Sequence, residues 1–214
     1  VGRYGGKDLV RGRAVFAEDQ LPPEALVLKA FRSQKSHARI LSIDTTKARQ
    51  VEGVVGVLTA ADIPGAHAYG VKIKDQPLLA EDTVRFAGEA IALVAAENED
   101  AAEQGLRAID IQLEDLEPVH DPEEALHADS VAVHEQGNLL SRKNVRKGDV
   151  AEGFRRSDIV VEQTYCTQRV EHSYLEPDAG TGRIDDQGNL VIHVCTQNPH
   201  YDQQEVASLL GLPE

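Results

Sequence analysis

Residues 90–96 read Ala-Ile-Ala-Leu-Val-Ala-Ala, an unbroken apolar run between Glu89 and Glu97. A strand sends alternate side chains to opposite faces, so such a run predicts a strand covered on both sides. It falls far short of the roughly 20 residues needed to span a bilayer, and no other apolar run in the chain comes close. The next residues change the period. Asn98 has capping chemistry, and Ala101, Ala102, Leu106 and Ile109 recur near helical spacing, which predicts a helix over 99–109. Ile109, Ile111 and Leu113 then alternate with Asp110, Gln112 and Glu114, the pattern of a half-buried strand. A chain with this order of elements has to fold in layers that mix helix and strand.

The remaining elements fit that frame. Strands are expected over 25–31, 40–43, 54–59 and 84–86. A helix over 45–51 would be capped by Asp44 and stopped by Gly53. Residues 60–65 read as one helical turn stopped by Pro64, and 65–76 as a loop. Residues 1–20 are rich in Gly and Arg and read as extended. Asp121-Pro122-Glu123-Glu124 opens a short helix ending near His127. These elements place a first domain at 1–127. Residues 128–147 have little periodicity and carry the basic cluster Arg142-Lys143-Asn144-Val145-Arg146-Lys147, so they read as a linker. A second unit covers 148–214. There Asp149 caps a helix to Arg156, and strands are expected over 159–167, 179–184 and 189–196. A final helix opens at Pro199, with Val206, Leu209 and Leu210 on one face.

Composition excludes several classes of function. The net charge of -14 repels phosphate backbones, which excludes general nucleic-acid binding. Aromatic residues make up 4% of the chain, so the core has to be built from Val, Leu, Ile and Ala. The two cysteines, Cys166 and Cys195, are too few for a thiolate cluster; they could pair as a disulfide, but isolated cysteines in strand-like contexts read rather as buried free thiols of a cytoplasmic protein. The chain has no Met, even at position 1, so it reads either as lacking its start or as a piece of something longer.

Chemistry-bearing residues gather late in the chain. Glu171-His172-Ser173-Tyr174-Leu175-Glu176-Pro177 follows one expected strand, and Cys195-Thr196-Gln197-Asn198-Pro199-His200 ends another. Polar groups at the ends of apolar strands need water or a ligand to satisfy them. Glu171, His172 and Glu176 together could bind a metal or relay a proton, or the histidine could serve structure alone. Ser33, Ser36 and His37 resemble a nucleophile and base only by adjacency, since neighbours on one turn seldom have the required geometry. Gly2-Arg3-Tyr4-Gly5-Gly6 has no strand before it and reads as a tail, not a phosphate cradle.

Taken in order, several segments resemble the molybdopterin-binding subunit of the xanthine dehydrogenase/aldehyde oxidase family. Leu28-Lys29-Ala30-Phe31-Arg32-Ser33 with His37-Ala38-Arg39-Ile40, then Gly53-Val54-Val55-Gly56-Val57-Leu58-Thr59 with Asp62-Ile63-Pro64-Gly65, then Val84-Arg85-Phe86-Ala87-Gly88-Glu89-Ala90-Ile91-Ala92-Leu93-Val94-Ala95, are similar to its α/β-hammerhead domain. Lys147-Gly148-Asp149-Val150, the Glu171-His172 segment, and Thr196-Gln197 before a helix ending Leu210-Gly211-Leu212-Pro213 are similar to the start of its molybdenum-binding region. The resemblance implies an α+β fold, a hammerhead domain followed by the first part of a molybdenum-cofactor-binding domain. It implies hydroxylation of an aldehyde or a purine-like N-heterocycle with oxygen from water. The implied cofactor is molybdenum-molybdopterin, with 2Fe-2S clusters and FAD on partner subunits or other regions, in an oligomer.

By the same resemblance, Val170, Glu171, His172 and Gln197 lie near the cofactor, and no residue of this chain ligates the metal. Several relatives place glutamine where this chain has Val170, and many place it where this chain has Glu89, a change read as structural. The family's glycine-rich cofactor segment and its catalytic glutamate come later in the order, so no catalytic residue is expected within these residues and the isolated chain is expected to be inactive. The alternative is a non-catalytic module that docks subunits through the hammerhead fold. A third reading, hydrolysis through His37 or His172, requires activity in the isolated chain.

Overall fold

The computed structural model describes residues 5–173 and 178–213. In chain order its elements are α1 (Gly6–Val10), β1 (Val27–Arg32), β2 (Ala38–Asp44), β3 (Val54–Thr59), β4 (Ala68–Tyr69), β5 (Gln76–Pro77), β6 (Thr83–Val84) and β7 (Ala90–Ala96). These are followed by α2 (Glu99–Ala108), β8 (Asp110–Asp115), α3 (Val150–Arg156), β9 (Gly180–Ile184), β10 (Leu190–Val194) and α4 (Pro199–Leu210). Short 3-10 turns sit at Glu18–Gln20, Ala48–Gln50, Ala60–Asp62 and Glu124–Leu126.

The apolar run 90–96 is the middle strand of its sheet, with antiparallel β1 on one side and β3 on the other. One face of β7 is closed: Ala92, Val94 and Ala96 are fully buried. The other face is covered at one end only: Ile91 is fully buried with Ala38, Ala80 and Val84, while Leu93 and Ala95 are half-buried beside the exposed Leu28 and Leu58 of the flanking strands. Coverage on both sides, as the run predicts, is therefore complete on one face alone. A second antiparallel sheet orders β6-β2-β8. Phe31, Ile43 and Ile111 touch both of the larger buried clusters, one around Ala92 and Val94 and the other around Ala38, Ala80, Val84 and Ile91, and so join the sheets. The buried hydrophobic residues are Ala, Val, Ile and Leu, as the low aromatic content requires.

Helix α2 covers the closed face. The Asn98 side chain accepts from Ala101 N at 2.9 Å, so the predicted cap forms. Gly105 faces the sheet; a Cβ there would lie 2.8 Å from Val94 Cγ1 and 3.0 Å from Val54 Cγ2, so the helix sits closer than any side chain would permit. Lys29 of β1 reaches across to Glu99 at 2.7 Å and Glu103 at 2.8 Å. Hydrogen bonds to Glu103 and then Glu99 raise the Lys29 pKa, and the same bond to Lys29 lowers that of Glu103.

Several expectations are corrected. Residues 45–51 form only the 3-10 turn Ala48–Gln50: the span between β2 and β3 is short, and Gly53 at φ 82° turns the chain into β3. Strand 84–86 is reduced to Thr83–Val84, because Arg85 N turns to the Glu89 carboxylate at 2.6 Å. The extended start contains α1, and the 65–76 loop contains β4, which pairs with β5. The strand over 159–167 does not form. Ile159, Val160, Val161 and Tyr165 are exposed, and no described strand pairs with this segment, so its strong strand formers have no ladder to join. Helix α4 buries Glu205, Ala207 and Leu209 and leaves Leu210 exposed, because Glu205 is drawn to Lys74. Cys166 is exposed and Cys195 half-buried, although both are free.

Four aspartates hold turns together. Asp62 accepts from Thr59 N at 2.8 Å, and Asp121 from Glu124 N at 3.1 Å and Glu123 N at 2.7 Å. Asp185 accepts from Asn189 N at 2.8 Å, and Asp44 from Thr46 N at 2.9 Å. These bonds, with one from the Thr46 side chain to Asp44, lower each carboxyl below its ordinary value of 3.8. A depressed folded-state pKa stabilises the fold above the ordinary value and loses that contribution as pH falls through the folded one. The denaturant midpoint is therefore expected to fall as pH drops below 3.8, and Asp121→Asn with Asp185→Asn to flatten that fall.

Candidate functional site

The candidate residues lie on two segments. The first is the exposed stretch leading to 170–173. Val170 is 74% exposed and makes an apolar projection into solvent. The Glu171 carboxylate accepts from Ser173 N at 2.5 Å and from Ser173 Oγ at 3.2 Å, which folds the backbone into a tight turn with Ser173 at φ 47°. His172 Nδ1 stands 3.9 Å from Glu171 Oε1, with both side chains largely exposed. At that distance and exposure the pair is weakly coupled, and the carboxylate serves the turn more than the imidazole. Glu176, the third member of the expected group, lies outside the described residues, as do Tyr174, Leu175 and Pro177.

The second segment is the end of the β9–β10 hairpin. Its turn is fixed by Asp185, which sets Ile184 opposite Leu190. After β10, Asn198 N donates to Thr196 Oγ1 at 2.9 Å, the Thr196 hydroxyl bonds Asp202, and Asn198 caps α4 by accepting from Tyr201 N at 3.3 Å. Gln197 sits at the crest of this turn. It is exposed, and its amide makes no side-chain hydrogen bond among the described residues. Cys195 Sγ donates to Asp178 Oδ1 at 3.4 Å, which ties the strand end to the residue just past the first segment. The sequence patterns single out neither that link nor the Thr196–Asp202 bond, because both depend on the hairpin being folded.

No group of three His, Cys, Asp or Glu side chains among the described residues could hold a metal ion. Direct metal binding through Glu171 and His172 is not supported by this geometry. An organic ligand is a better fit: the turns offer a free carboxamide at Gln197, an apolar projection at Val170 and an accessible imidazole at His172. Two concavities elsewhere, of about 300 Å³ around Glu117 and His127 and about 690 Å³ between Lys74 and Leu140, include none of these residues. Ser33 and His37 are buried and occupied. Ser33 Oγ accepts from Lys35 N at 2.9 Å, and His37 Nδ1 donates to the Glu117 carbonyl at 2.7 Å, so neither is free for hydrolysis. Glu89, also buried, holds the turn that feeds β7.

Residues 11–117 match the a/b hammerhead domain of aldehyde oxidase and xanthine dehydrogenase, and residues 133–214 match the molybdopterin cofactor-binding domain. The chain belongs to the aldehyde oxidase and xanthine dehydrogenase family. Within it, the chain is 47% identical over 204 residues to the nicotinate dehydrogenase large molybdopterin subunit of Eubacterium barkeri, covering 95% of this chain and 48% of that protein. It is 40% identical to a probable xanthine dehydrogenase subunit of Bacillus subtilis (strain 168), covering 99% of this chain and 28% of the relative. The aldehyde oxidoreductase structure from Desulfovibrio gigas superposes with a TM-score of 0.87 at 26% identity, over 99% of this chain and 25% of that one. The chain thus spans at most about half the length of these family members. The α+β architecture, a hammerhead domain followed by the start of a molybdenum-cofactor-binding domain, is that of the family.

Proposed function

We propose that this chain forms one wall of the site in a molybdenum hydroxylase that acts on an N-heterocycle or an aldehyde. A substrate carbon loses hydrogen and gains hydroxyl from water, releasing two protons and two electrons. The observation that carries this reading is Gln197: an exposed carboxamide without a side-chain partner among the described residues, on a hydrogen-bonded turn, inside the segment that matches a molybdopterin cofactor-binding domain. When bound, the molybdenum-molybdopterin group supplies the two-electron oxidation. Gln197 would hold it through its amide, which both donates and accepts. Val170 has no hydrogen-bonding side chain and offers an apolar surface that excludes water. Glu171 keeps that surface in place by closing the turn on Ser173, and His172 adds an accessible ring nitrogen beside it. The Glu171 carboxylate is committed to Ser173, and we assign no general base to this wall.

The Eubacterium relative is named for nicotinate, an N-heterocycle, which supports that class over aldehydes. 2Fe-2S and FAD groups on other chains would accept the electrons; the relatives named as subunits support a divided assembly. Among the described residues no helix is long and apolar enough to cross a membrane. We place the enzyme in the cytoplasm on the two free cysteines of this chain, since thiols persist in a reducing compartment. The test is metal and pterin analysis. Molybdenum and pterin should co-purify in equal amounts with the enzyme that contains this chain and be absent from residues 1–214 alone. Molybdenum bound by residues 1–214 without pterin would overturn the reading.

A further inference from the structure

Helix α4 follows directly from the Gln197 turn and ends against the hammerhead domain. Its last carbonyls would be unpaired in an isolated helix. Here Gly65 N donates to Leu209 O at 3.0 Å, and Ala66 N donates to Ser208 O at 2.9 Å. A Cβ on Gly65 would lie 2.2 Å from Ser208 O, 2.5 Å from Gly211 N and 2.8 Å from Leu209 O. All three are backbone atoms, so no rotamer change relieves the overlap. One turn earlier, Lys74 pairs with Glu205, which is only 8% exposed and lies 131 residues away in sequence. Lys74 Nζ also stands 5.8 Å from the centre of the Tyr201 ring, in the first turn of α4. Tyr201, Glu205 and Ser208 are spaced to share one face of the helix. The hammerhead loop therefore grips α4 along its whole length.

The other end of α4 is welded to the site. Asn198 caps the helix, its N–H binds Thr196, and Thr196 binds Asp202. Gln197 has no side-chain bond of its own among the described residues, so its position is inherited from these neighbours. We infer that Gly65 and Lys74 are positioning residues: they fix the register of α4 and so set where the 196–198 turn stands. The consequence for catalysis rests on the placement of Gln197 beside the cofactor proposed above.

The test compares Gly65→Ala, Lys74→Glu, Glu205→Lys and the exchanged pair Lys74→Glu/Glu205→Lys in the holoenzyme. Gly56→Ala is the control, since a Cβ there meets nothing within 4 Å. Local opening is read by amide hydrogen exchange over 198–203, where each single variant except the control should exchange about tenfold faster while β7 stays unchanged. The same variants should lose about tenfold in kcat with little change in KM, the signature of a displaced group and not of lost binding. The exchanged pair should recover most of both losses, which a variant that merely unfolds cannot do. Unchanged exchange over 198–203, or no recovery in the exchanged pair, overturns the inference. Gln197→Ala in the same assay separates the two claims. If it lowers kcat and the clasp variants do not, the clasp alone fails. If it leaves kcat intact while exchange still responds, the placement of Gln197 fails and the clasp stands.

Discussion

Replacing Gln197 with alanine is expected to lower kcat of the enzyme containing this chain by about a hundredfold, the scale of losing one positioned polar group at a reacting centre. Folding should hardly notice. Gln197 is exposed and makes no side-chain hydrogen bond among the described residues. The bonds that shape its turn belong to Thr196, Asn198 and Asp202. The stability change is therefore expected to stay within about 0.5 kcal/mol, as for a surface substitution that breaks no contact. Steady-state kinetics beside denaturant unfolding checks both halves. A loss of stability that matches the loss of rate would make Gln197 a structural residue.

Ile91→Ala carries the largest expected effect on folding. Ile91 is fully buried, and the buried residues beside it are Ala38, Ala80 and Val84. Phe31, Ile40, Ile43, Ile111 and Leu113 pack around this cluster from both sheets and hold one another in place, so the space left by truncation closes only in part. The cost should fall in the upper part of the ~2–5 kcal/mol range for such truncations. The midpoint in urea should fall without a change in slope. Leu28→Ala, on the open face of the same sheet at 64% exposure, should cost far less. A cost below about 1 kcal/mol for Ile91→Ala would mean that β7 is not the centre of the core.

The hammerhead part was legible because its signals are local. The run 90–96, the Asn98 cap and the alternation from Ile109 each report on the element that contains them, and each element forms where expected. In the same part the helix over 45–51 and the strand over 84–86 were cut short by local turns at Gly53 and at the Arg85–Glu89 bond, and the larger errors arose where the deciding partner is distant or absent. Residues 159–167 have the composition of a strand, but composition does not supply a neighbouring strand. The buried face of α4 was misassigned because Glu205 is charged, and nothing near it in sequence announces Lys74. Gly65 read only as the start of a loop after Pro64; its role against α4 exists only in three dimensions. At the candidate site, the motif order pointed to the right family. The acid–histidine pair that first suggests metal binding proves to be a turn, with its carboxylate committed to Ser173.

Whether this chain helps to build a site that hydroxylates with oxygen taken from water is tested most directly by isotope labelling. The enzyme that contains this chain is run in water labelled with heavy oxygen, with an N-heterocycle such as nicotinate as substrate, and the product is weighed by mass spectrometry. The label is expected in the new hydroxyl group, with none transferred from labelled dioxygen in the reciprocal experiment. Label arriving from dioxygen, or no hydroxylated product from any N-heterocycle or aldehyde, would contradict it.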